Sequence, residues 1–216
     1  MKRTITTFAI VVISCIYSSA QSDEFQRSEF FVGYSYQNPE VNFGSSPAAG
    51  SFYRKRIGHN GFNGSAVVNV SRYFGIKGDV SGVYKSGRFT FNVPSGIQST
   101  PMVPLTFDAK TSVHNFLGGV QIKDNSTSGR LKPFAHAMIG AAHRSNKIAG
   151  GGFTCLAIIP CPGSTKETAL AGAFGGGIDV RLRGRVGLRL IQVDYNPIKY
   201  DAGVSHGMRL GVGLIF

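Results

Sequence analysis

The 216-residue chain has no tryptophan, little charge and, beyond its first 20 residues, no run of about 20 apolar residues. The missing run excludes a transmembrane helix, which needs about that length to cross the hydrocarbon layer. Charged residues make up only 16%, against roughly a quarter in an ordinary water-soluble globule. Acidic residues are scarcest, 11 against 23 Lys and Arg, for a formal charge of +12. Such a balance can mark a nucleic-acid binder, but here the basic residues are dispersed, and the chain carries an export address. Helical periodicity is absent too, which leaves an all-β protein with two differently solvated faces.

What is present begins with that address. Lys2 and Arg3 precede an apolar stretch, residues 8–13, and Ser18 and Ala20 occupy the −3 and −1 positions of a small-residue cleavage site. A cleaved signal peptide over residues 1–20 is expected, with the mature domain at 21–216. Lipoprotein processing at Cys15 is the alternative, but Val12-Ile13-Ser14 is a poor lipobox. Cleavage removes two basic residues and no acidic ones, so the charge falls from +12 to +10. Two of the three cysteines remain, Cys155 and Cys161, with five residues between them. An even pair in an oxidising compartment points to a disulfide tying one loop. The spacing is not that of a zinc knuckle and no His is near, so neither metal nor cofactor is expected.

Alternation with period 2 dominates the mature chain. Phe30, Val32, Tyr34 and Tyr36 share a face opposite Glu29, Gly33 and Ser35. The pattern returns in segments 62–73, 76–85, 114–123, 133–143 and 168–180. It is cleanest in 205–216, where Met208, Leu210, Val212, Leu214 and Phe216 oppose Arg209, Gly211 and Gly213. In 186–195 the phase breaks: Leu188 and Leu190 share parity with Gln192 and Asp194, and Arg189 with Ile191 and Val193. One β-bulge near residues 189–191 would restore it.

Eight strands result. Connections 37–61, 86–113 and 144–167 are long, and 74–75, 124–132 and 181–185 shorter. A soluble sandwich has no reason to place long connections at one end, whereas a bacterial outer-membrane barrel has short periplasmic turns and long external loops. Strands cross lipid only when closure pairs every edge. The expected fold is therefore all-β: a closed antiparallel up-and-down transmembrane barrel of eight strands, monomeric, with apolar faces outward. Tyr34, Tyr36, Tyr84, Tyr195 and Phe216 would supply interfacial girdles.

The terminal alternation from Met208 through Leu210, Val212 and Leu214 to Phe216 resembles the β-signal read by outer-membrane assembly machinery. Segment 173–182, Ala-Phe-Gly-Gly-Gly-Ile-Asp-Val-Arg-Leu, followed by Leu188-Arg189-Leu190-Ile191-Gln192-Val193-Asp194-Tyr195, is similar to the eight-stranded OmpA-like barrel superfamily. Within it the chain most resembles the stand-alone outer membrane protein β-barrel domain. Unlike in OmpA, no peptidoglycan-binding domain is expected after Phe216. The resemblance implies a bacterial outer-membrane address, with membrane lipid and lipopolysaccharide as surroundings.

Lys77, Asp79, Lys85, Lys123, Asp179, Asp194 and Arg209 fall on the inward parity. Charges in a narrow lumen must pair: Arg209 is expected to meet Asp194, and the lysines Asp79 or Asp179. Such a set is either a structural polar core or an ion-pair gate over a small pore. An enzyme needs a nucleophile beside an oriented base, and neighbouring strand residues such as Ser205 and His206 point to opposite faces. No catalytic residue is assigned, although some barrels of this size modify lipid A. A soluble lipocalin-like barrel, apolar inside, is the competing architecture. The loops remain for surface ligands: 37–61 carries Arg54, Lys55, Arg56 and His59, suited to lipopolysaccharide phosphates, 86–113 holds Pro94, Pro101 and Pro104, and 144–167 an apolar tip.

Overall fold

A computed structural model describes residues 25–42, 54–56, 58–94, 102–126, 129–149, 163–184, 186–201 and 203–216. Eight strands close a barrel: β1 (Ser28–Asn38), β4 (His59–Asn69), β5 (Phe74–Pro94), β6 (Met102–Lys123), β7 (Leu131–Ala149), β8 (Gly163–Arg183), β9 (Val186–Tyr200) and β10 (Gly203–Ile215). Each is antiparallel to its sequence neighbour, and β1 closes the ring against β10. Two short strands between β1 and β4, β2 (Glu40–Asn42) and β3 (Arg54–Arg56), pair apart from the barrel.

The closing seam depends on glycine. Gly33 and Gly213 face each other across β1 and β10. A Cβ on Gly33 would lie 2.2 Å from the Val212 carbonyl oxygen, and one on Gly213 would lie 2.3 Å from that of Val32. The Phe31 ring covers both positions from inside. Backbone bonds in both directions between Phe30 and Phe216 extend the seam to residue 216.

One end of the barrel carries both the start of β1 and the end of β10; its turns are short. Ser71 Oγ accepts from the Tyr73 and Phe74 amides between β4 and β5. Gly184 (φ +61°) begins the turn that joins Arg183 to Val186, a left-handed position where glycine escapes the Cβ clash. At the far end the strands are unequal. The β4–β5 ladder stops at Asn60–Tyr84 and the β8–β9 ladder at Leu170–Lys199. The β5–β6 ladder runs on to Pro94–Met102, and β6–β7 and β7–β8 continue to Ala149 and Gly163.

Three expected loops are therefore corrected. Most of 86–113 is strand, and so are 144–149 and 163–167. Residues 84–86 and 164–166 are exposed in succession and so lack the alternation that marks a half-buried strand, whereas Ala109, Thr111 and Val113 of β6 stay buried. Pro104 is tolerated because, among the described residues, β6 has no β7 partner beyond Asp108. His59 is likewise not a loop residue: it starts β4 opposite Gln37 and is buried.

The burial pattern of β10 alternates through its length, as does that of β4. Outward positions are apolar, with Val32, Ile122, Leu131 and Ile139 each at least 59% exposed. The interior is polar and charged over most of its depth. A lipocalin-like barrel would have these faces reversed. A belt of exposed aliphatic and aromatic side chains around a ring is far more apolar surface than a water-soluble monomer carries.

Candidate functional site

The interior holds four carboxylates, Glu29, Asp79, Asp179 and Asp194, and five buried cations, Lys77, Lys123, Lys132, Arg189 and Arg209, most of them in two linked clusters. Nearer the terminal end, Lys123 donates to Glu29 and, at 2.7 Å, to Asp179. Arg189 forks onto Asp179 (Nε 2.8 Å, NH2 3.1 Å) and reaches Glu29 at 3.3 Å. Its guanidinium is also sandwiched between Phe31 and Phe134, 4.4 and 4.2 Å from the ring centroids. A planar cation that bonds at its edge and stacks on both faces is a use of Arg that Lys cannot copy.

The second cluster centres on Arg209 and Asp194. Arg209 NH2 lies 2.7 Å from Asp194 Oδ2 and NH1 2.6 Å from Asp79 Oδ1. Gln192 donates to Asp194 at 2.7 Å and accepts from Arg189 at 2.8 Å, joining the two clusters. His136 Nε2 sits 2.9 Å from the other Asp194 oxygen. Lys77 Nζ lies 3.3 Å from His136 Nδ1 and over the Phe134 ring.

Above this layer, towards the far end, come neutral polar side chains: Asn115 donates to Ser81 at 3.1 Å, and Gln37 to Asn196. An apolar cluster follows, including Val83, Val113, Met138, Ile198 and Tyr200. Below, Lys132 donates to the carbonyls of Asp124 and Ser126. The segment before β1 is held to the β6–β7 turn by Gln26 N to Asn125 O and to β4 by Asn69 N to Arg27 O.

Of the seven inward charges expected, Lys77, Asp79, Lys123, Asp179, Asp194 and Arg209 are buried together. Arg209 meets Asp194 and Lys123 meets Asp179, while Asp79 goes to Arg209, leaving Lys77 beside His136. Lys85 is the exception: it keeps the inward parity but is exposed, because β5 has left β4 by that point.

Glu29, His136 and Arg189 complete the set. Glu29 and His136 were on the polar parity and readable as such; Arg189 was hidden by phase. The register shifts between Arg189 and Ile191, so Leu190 and Ile191 both face outward and Arg189 joins Gln192 and Asp194 inside.

Met208, Leu210, Val212, Leu214 and Phe216 are all exposed on the outward face. Ser205 is buried and His206 exposed, so the two do not meet. Among the described residues no group of three or more His, Cys, Asp or Glu could hold a metal. Cys155 and Cys161 lie outside the described residues.

No protein-family model matches the sequence, and no curated protein matches it. Solved structures do. Ail, the attachment invasion locus protein of Yersinia pestis, matches with a TM-score of 0.53 at 16% identity, over 90% of this chain and 100% of its own. Its complex with the heparin analogue sucrose octasulfate gives 0.51 at 17%, over 88% and 100%. Neisserial surface protein A, NspA, matches at 0.53 and 13% identity, over 89% and 98%. At such identities the likeness is one of fold. The chain has the fold of the eight-stranded outer-membrane β-barrels.

Proposed function

We propose that the chain is exported, loses residues 1–20, and serves as a monomeric outer-membrane barrel with a structural or surface-contact role and a lumen that does not conduct. One observation supports this above others: the apolar outside and the charge-matched inside are the inverse of a soluble protein's distribution. With the short turns in the periplasm, the projecting β5–β8 wall faces the exterior. The terminal Met208–Phe216 alternation serves the assembly machinery. Cys155 and Cys161 form a disulfide, and the loops contact surface ligands. Catalysis is not assigned, since Ser205 and His206 occupy opposite faces.

Membrane fractionation tests the address. The protein is expected in the outer-membrane fraction, resistant to carbonate. Recovery from the soluble periplasm, or release by carbonate, would contradict the proposal.

A further inference from the structure

We infer that the outward face of β6–β9, just beyond the apolar band at the far end, binds a lipid whose headgroup carries more than one phosphate. The inference rests on the reading that the barrel spans the outer membrane with its far end outermost.

The outward apolar strips end at Phe116 on β6, Ile139 on β7 and Leu170 on β8. Beyond them the same faces turn basic. His114, His143 and Thr168 form one cross-strand row, with His143 Nδ1 2.9 Å from Thr168 Oγ1. Further out, Lys110 stands directly opposite Lys147. Lys166, paired with Ser145, is the diagonal neighbour of Lys147, and Lys199 pairs with Leu170. All four lysines are exposed.

Like charges opposite each other destabilise a ladder, and among the described residues no carboxylate in this wall forms an ion pair with these lysines. The nearby carboxylates are taken: Asp108 by Arg88 at 3.0 Å and Glu167 by Arg144 at 2.9 Å. Among the described residues Lys110, Lys147, Lys166 and Lys199 make no ion pair. In the lumen, by contrast, Lys123, Arg189 and Arg209 each meet a carboxylate. An external anion is the missing partner.

Its chemistry follows from the spacing. Strands lie about 4.8 Å apart, so β6 to β9 spans roughly 14 Å, more than one phosphate can bridge. Its source follows from the position. A headgroup on the lysines lays its acyl chains over Phe116, Ile139 and Leu170, so the occupant is a lipid and not a soluble anion. Phosphate oxygens accept readily from lysine ammonium groups.

The test uses the full mature chain folded into phosphatidylcholine bilayers, alone or with bis-phosphorylated lipid A, monophosphoryl lipid A or phosphatidylglycerol at equal charge. The readout is the midpoint of heat-induced unfolding on gels. Bis-phosphorylated lipid A is expected to raise the midpoint most. Lipid A retention in native mass spectrometry should fall at least tenfold in K110Q/K147Q/K166Q/K199Q, which keeps its phosphatidylcholine midpoint. The milder K110Q/K147Q should give an intermediate loss. Equal shifts with phosphatidylglycerol or with soluble sucrose octasulfate, or an unchanged quadruple variant, would overturn the inference. A chain that enters no bilayer would overturn the membrane-spanning reading as well, and so separates the two failures.

Discussion

Arg209 of β10 and Asp194 of β9 are cross-strand partners whose guanidinium and carboxylate meet 2.7 Å apart inside the barrel. The pair is also tied to Asp79, Gln192 and His136. Removing the carboxylate leaves Arg209 with Asp79 and Ser81 and frees two further donors, Gln192 and His136, in a buried place. Breaking a buried pair from one side costs about 3–5 kcal/mol. Asp194→Ala is expected to lower unfolding stability in detergent or bilayer by that amount, read from urea titration. A loss below about 1 kcal/mol, the worth of an exposed pair, would show that water reaches the site.

Arg189→Lys tests the sandwich. Lysine keeps the charge but not the fork on Asp179 nor the flat contact with Phe31 and Phe134. The expected cost is about 1.5–3 kcal/mol, the range for a hydrogen bond to a charged group. A Phe134→Leu background should shrink the effect of Arg189→Lys, because the stacking part is already gone; equal costs in both backgrounds would mean that stacking adds nothing.

At the seam, Gly213→Ala is expected to impair closure. The added methyl meets the Val32 carbonyl oxygen at 2.3 Å and the Phe31 ring at 2.9 Å, and backbone cannot yield as a flexible side chain can. Overpacking of this kind costs about 1–3 kcal/mol. Gly78→Ala is the control, since nothing lies within 4 Å of its Cβ position. A smaller folded fraction for Gly213→Ala than for Gly78→Ala on unheated gels is the expected result.

In the β6–β7 turn, Asp124 is held down to about 2 by the Ser126 amide and then by Arg72, 3.0 and 3.2 Å away. Its folded value lies below the ordinary 3.8. The stabilisation is therefore complete above about pH 4 and lost as pH falls through about 2. Asp124→Asn should flatten the dependence of thermal midpoint on pH between 4 and 2, while leaving the slope above pH 5 unchanged.

The fold was legible because a lipid-facing strand must alternate. Met208 to Phe216 stand outward and Arg209 inward for the same reason that the pattern was visible. The bulge near 189–191 was legible as a phase conflict, yet the conflict hid Arg189, since parity alone does not say which residue the bulge swallows. Lys85 shows the complementary limit: parity gives the face but not the height, and height decides whether a charge is buried. Projecting stretches such as 164–166 were not legible, because side chains exposed in succession give no period of 2. His59 was drawn into a loop by its basic neighbours Arg54, Lys55 and Arg56, although Gln37 across the ladder holds it in β4.

The proposed function has the paired interior charges of a membrane barrel close its lumen. Conductance of the purified mature protein in planar bilayers tests it most directly. No discrete channel events are expected for the native chain, and openings only after loss of Asp194 or Arg189; regular unitary steps from the native protein would contradict a closed lumen.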